Sequence, residues 1–247
     1  MFHATSPANL AASPDSSGLQ HLSDFQHLAP ALASDAHAGH TRLACLSPSL
    51  LQDLQCGEAV RAPDAGLDLL EVLAAALRHG RALQVHLELD YRVVPLAVWP
   101  QTRLVHSPLS LDRLLALRLP DLRVLLVQPS LTEPPAGTAA NAGTPASYAS
   151  PLASLLWELA LRGPRGALLP QIGGSAAYRV SPASELGALA LVGTLAVAVE
   201  RLRRDSVPLR EIASWPGFDL DRANRLLNGL YLQAALIVSR SHPSAQD

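Results

Sequence analysis

"LDLLEVLAAALRHGRALQVHLELDYRVVPLAVWP" (Leu67–Pro100) changes its hydrophobic period midway, and that change decides the fold class. In its first half Leu69, Leu70, Leu73 and Leu77 share one face at helical spacing. Arg78 and His79 suit the negative end of a helix dipole, and Gly80 is a natural stop. From Leu83 the period drops to two. Leu83, Val85, Leu87 and Leu89 alternate with Gln84, His86 and Glu88, as in a half-buried strand. Asp90-Tyr91 makes a turn, and Arg92 to Val98 returns as a second strand. Pro95 has no N–H for a ladder, so this strand is expected at an edge or with a bulge. His86, on the polar face, reads as solvated.

Downstream, "TRLVHS" suits a third strand and "SLDRLLAL" a short helix capped by Ser110. "LRVLLVQ" is apolar enough for a strand buried on both faces. Residues 64–130 thus read as a small α+β domain. Residues 131–149, rich in Pro, Gly and Ala, read as a linker or exposed loop. Beyond it lies a mainly helical domain, 150–241. It starts with "PLASLLWELALRG", where Leu152, Leu155, Leu156 and Leu159 form a stripe. "GALLPQIGGSAAYRVSP" looks irregular. Ser181 and Pro182 look like the cap and first turn of a long apolar helix ending near Arg204. Upstream, "SLLQDLQ" suggests a short helix. Residues 1–40 lack periodicity and read as a disordered tail that holds five histidines, His3, His21, His27, His37 and His40.

Composition narrows the chemistry. Of 247 residues, 49% are hydrophobic and 16% charged, which suffices for a substantial core. The net charge of −2 gives no global field for nucleic acid or anionic lipid. The chain has no lysine, so a Walker A loop, a pyridoxal Schiff base, a kinase ATP lysine and an S-x-x-K acylase are all excluded. Cys45 and Cys56 fit neither a zinc site nor a disulfide framework and read as reduced thiols in a cytoplasmic protein. The apolar run Leu186–Val199 is too short to cross a bilayer.

No catalytic constellation stands out. "GGSAAY" (Gly173–Tyr178) lacks the second glycine of a nucleophile elbow, since Ala177 occupies that place. His106 and Ser107 are sequence neighbours, whereas triad members meet in space. Glu71, Glu88, Asp112 and Glu158 are scattered over separate elements. The expectation is therefore no catalytic residue, no cofactor and no metal, with an enzyme of unknown class as an alternative.

The most informative stretch is "EIASWPGFDLDRANRLLNGLYLQAALIVSR" (Glu211–Arg240). A short helix stops at Pro216-Gly217, and Asp219 caps the next helix. Leu220, Ala223, Leu226, Leu227 and Leu230 are expected inward. Asp221, Arg222, Arg225, Asn228, Tyr231 and Leu232 are expected on the outer, interacting side. "ALIVSR" leaves as a strand. Residues 183–241 resemble the C-terminal winged-helix-like modules of bacterial PATAN-type signalling proteins. Glu211-Ile212-Ala213, the run Arg225 to Leu232 and Ala235 to Val238 carry the likeness. The resemblance implies a bacterial regulatory or motility-linked protein acting near small GTPases and roadblock-type proteins, with no catalytic residue. The alternative is a DNA-binding regulator using helix 219–233, with Arg222, Arg225 and Asn228 as base and phosphate contacts. Charge opposes it. Residues 200–240 hold seven arginines and five acids, a net of only +2, and Asp219 and Asp221 sit at the end of the helix that would meet a groove.

Overall fold

The computed structural model describes residues 19–28, 42–43, 46–58, 67–130, 148–189 and 191–241. The fold is α+β, with eight α-helices and two sheets among the described residues. The period change at Leu67–Pro100 appears as expected. Helix α3 (Leu69–His79) is capped by the Asp68 carboxylate, which accepts from Leu70 N, and it ends on Gly80 at φ 59. Strand β3 (Leu83–Leu89) alternates strictly between buried and half-buried residues. Asp90 and Tyr91, both at positive φ, turn the chain into β4 (Arg92–Trp99).

The larger sheet adds β1 (Gln20–His21), β2 (Arg42–Leu43), β5 (Leu104–Ser107), β6 (Arg123–Pro129) and β7 (Tyr148–Pro151). Its order is β2-β6-β3-β4-β5-β7, antiparallel except at the β2–β6 pair. Pro95 shows how such a strand sits inside a sheet. On its outer side β4 pairs with β1 only at Arg92 and Val93, and with β5 only from Ala97. Pro95 falls in the gap, where no N–H is required.

Helices α1 (Leu22–Leu28), α2 (Pro48–Glu58), α3, α4 (Leu111–Ala116) and α5 (Leu152–Arg162) accompany this sheet along the chain, with α1 against β4, α2 and α5 against α3, and α4 against α5. The C-terminal part holds β8 (Ala177–Val180), α6 (Thr194–Arg204), β9 (Val207–Pro208), α7 (Leu209–Ala213), α8 (Leu220–Leu232) and β10 (Leu236–Ser239). Its sheet runs β10-β8-β9, all antiparallel. Buried apolar residues form one contiguous cluster from Leu50 to Ala235.

Several expectations change. Residues 20–28, expected within a disordered tail, form β1 and α1, and β1 pairs with β4. The rest of 1–40 lies outside the described residues, apart from Leu19. Tyr148 and Ala149, expected in the linker, belong to β7; positions 131–147 lie outside the described residues, as does Cys45. The long apolar helix does not begin at Ser181. Residues 181–189 form turns in which Leu186 is buried, and α6 starts only at Thr194. Glycines 187 and 193 lower helix propensity there, and Gly193 at φ 57 breaks the helical path. "AYRV", expected irregular, is the central strand of the small sheet.

Candidate functional site

Helix α8 was expected to present its polar side chains outward. Asp219 caps it, its carboxylate accepting from Arg222 N at 2.7 Å. The outward face is otherwise different. Leu220, expected inward, is 56% exposed, because the first turn projects beyond the core. Asn228 and Leu232, expected outward, are buried. Asn228 Oδ1 accepts from Leu169 N at 2.8 Å, and its Nδ2 donates to Ala167 O at 2.9 Å. One turn earlier, Asn224 Nδ2 donates to Gly166 O at 2.9 Å. Arg225 pairs with Asp221 at 2.6 Å and donates to the carbonyls of Leu161 and Gly163, which end α5. Arg222 donates to Gly217 O and Thr194 Oγ1 and lies over the Phe218 ring.

The segment "GPRGALL" (Gly163–Leu169) is therefore held by an arginine and two asparagines at i, i+3 and i−1 along one helix. A buried ion cluster fastens its other side. Arg165 Nη1 reaches Asp68 at 2.8 Å and Glu71 at 2.6 Å, and its other nitrogens donate to Ala167 O and Leu168 O. These acids belong to α3 and its cap, so the segment links α8 to the helix that precedes the hairpin. Glycines fit this close approach. A Cβ at Gly229 would meet Trp157 ring atoms at 2.9 Å, and one at Gly166 would run into the Asp221 carboxylate. Asn224 and the pairing of Arg165 with Asp68 and Glu71 were not singled out in the sequence.

Tyr231 and Leu232 do meet at an open site. With Ala74, Leu77, Arg78, Arg103, Ala234 and Leu236 they line a groove of about 560 Å³ between α3 and the end of α8. Arg103, at positive φ, donates to Leu232 O at 3.3 Å and so caps α8 from the β4–β5 turn. A second groove of about 590 Å³ adjoins it through Gly80, Pro100 and Gln101 and adds Arg81 and Trp99. Among the described residues, no Asp or Glu lines either groove. Arg78 is paired with Asp53 of α2.

His79 Nε2 lies 3.1 Å from the Asp53 carboxylate that also pairs with Arg78. Among the described residues, no group of three His, Cys, Asp or Glu is placed to hold a metal ion. His106 and Ser107, as successive strand residues, point to opposite sheet faces. The Ser107 hydroxyl accepts from Leu109 N, and His106 meets the edge of Trp99. His86 is not solvated as expected. Phe25 of α1 covers its ring at 5.0 Å, its Nδ1 is buried without a partner, and burial pushes its pKa down. Burial lowers His106 in the same way. Tyr178, whose hydroxyl donates to Ile172 O at 2.7 Å, is pushed up by burial, with Arg240 opposing. No helix among the described residues is long and apolar enough to cross a membrane. The chain matches no family model, no curated protein and no solved structure.

Proposed function

We propose that this protein is a non-enzymatic regulatory or signalling accessory protein, bacterial by resemblance, that works through contacts with another protein. The carrying observation is the use made of α8. Arg222, Arg225 and Asn228, the side chains that would read base edges and phosphates, are spent on the protein's own carbonyls, on Thr194 and on Asp221. A helix in this state holds a fold together and has little left for a duplex. Its C-terminal end instead contributes Tyr231 and the buried Leu232 to an open groove lined by apolar side chains and arginines, the kind of surface that receives protein side chains. A small GTPase or a roadblock-type protein is the partner class suggested by the resemblance of residues 183–241.

The test is affinity purification of the full chain from its host, with and without nuclease, beside duplex binding by the purified protein. The expected result is a protein partner that survives nuclease, and duplex binding no tighter than the non-specific range of about 10⁻⁴–10⁻⁶ M. Nanomolar, sequence-dependent duplex binding that Arg222→Ala abolishes without lowering the melting temperature would overturn the reading.

A further inference from the structure

The small sheet ends in an open edge. Among the described residues, strand β10 pairs with β8 on one side only. Ser181 N donates to Ala235 O at 2.8 Å, and Ile237 and Ser239 continue in the same phase opposite Arg179 and Ala177. By the two-residue period of an antiparallel ladder, the backbone N–H and C=O of Leu236 and Val238 face away from β8. Neither has a backbone partner among the described residues. Ile237 is 46% exposed. Leu236 also lines the groove that holds Leu77, Tyr231 and Leu232, so the open edge and the groove meet at one residue.

Charge defines the occupant. Among the described residues, the two adjoining grooves present Arg78, Arg81 and Arg103 and no acid, and of these arginines Arg78 has a carboxylate partner, Asp53. On the other sheet face Arg179, opposite Ile237 in the ladder, donates to Arg203 O, and Arg240 after the strand donates to Gln171 O and Gly173 O; each keeps its full positive charge. This is a basic surface on a chain of net charge −2. A second copy placed edge to edge would bring arginines against arginines.

Resting on the reading of this protein as an interaction module, we propose that β10 accepts an extended, acidic segment of a partner protein as an added strand. The segment would hydrogen-bond to Leu236 and Val238, place an apolar side chain in the Leu77–Tyr231–Leu232 groove, and direct carboxylates at the arginines. Strand addition draws affinity from main-chain bonds and specificity from such side-chain pockets.

The test selects displayed random peptides of about nine residues on the full chain. Counter-selection uses Val238→Pro, which removes one outward N–H and leaves the β8 ladder intact. Enriched peptides should alternate apolar residues with Asp or Glu. They should bind Val238→Pro about tenfold or more weakly and weaken as salt rises. On the parent, peptide addition should slow amide exchange at Leu236 and Val238, a readout that holds even if the variant misfolds. Basic peptides, no enrichment, or unchanged exchange at both amides would overturn the proposal. So would a parent dimer that Val238→Pro dissociates, which would assign the edge to a second copy. A host protein captured equally by parent and Val238→Pro would also overturn it while leaving the interaction function standing.

Discussion

Gly229 sits where two effects of opposite sign meet. Glycine inside a helix is about 1 kcal/mol worse than alanine, so propensity alone favours Gly229→Ala. The added methyl would lie 2.9 Å from two ring carbons of Trp157, whose side chain is fully buried between α5 and α8. Overpacking a tight core costs about 1–3 kcal/mol, and a buried indole has little room to give. Packing wins, so Gly229→Ala should lower the urea midpoint with an unchanged slope; an equal or higher midpoint would refute the close approach. The same scale explains why α8 was only half legible. Leu226, Leu227 and Leu230 are buried as their spacing implied. Asn228 read as outward from its chemistry. What it satisfies, Leu169 N and Ala167 O, lies about sixty residues away in sequence, and no local pattern marks that segment as its partner.

Elements with a strong local period were readable, and those defined by distant partners were not. β3 declares itself by strict alternation, and α3 by its leucine stripe and glycine stop. β8 is four residues long and becomes a strand because β10, nearly sixty residues later, and β9 flank it. The β3 face carrying His86 was read as solvated because the α1 cover could not be foreseen. That cover has a consequence for pH. Burial holds the His86 pKa below its ordinary 6.5. The unfolded chain therefore binds this proton more readily than the folded one. The resulting stability is full above about pH 6.5 and is lost as pH falls from there towards the folded pKa. His106 acts in the same direction, so replacing one histidine removes only part of the effect. His86→Leu should keep the Phe25 contact apolar and show a smaller fall in melting temperature between about pH 7.5 and 5.5 than the parent. An identical fall would mean that His86 is as well hydrated in the fold as in the open chain.

At the scale of the whole molecule, the question is whether the hairpin sheet and the helical C-terminal part unfold as one. The sequence suggested two domains, 64–130 and 150–241, separated by a linker. The structure puts several ties across that division. β7, which begins inside the expected linker, completes the larger sheet beside β5, and α5, its direct continuation, packs on α3, α4 and α8. Arg165 joins Asp68 and Glu71, and Arg103 caps α8 from the β4–β5 turn. One contiguous apolar cluster contains residues from both parts. Cooperative unfolding is expected where so much surface is shared. Leu156, fully buried in α5, is the place to test it. Leu156→Ala should cost about 2–5 kcal/mol through lost burial and the cavity left behind. If the chain is one cooperative unit, native-state exchange of the Val85 amide in β3 and the Leu227 amide in α8 should speed up together by the same factor. Far-ultraviolet dichroism and tryptophan fluorescence should trace a single transition. A variant in which Leu227 loses protection while Val85 keeps that of the parent would show two independent units, with the ties across the division too weak to couple them.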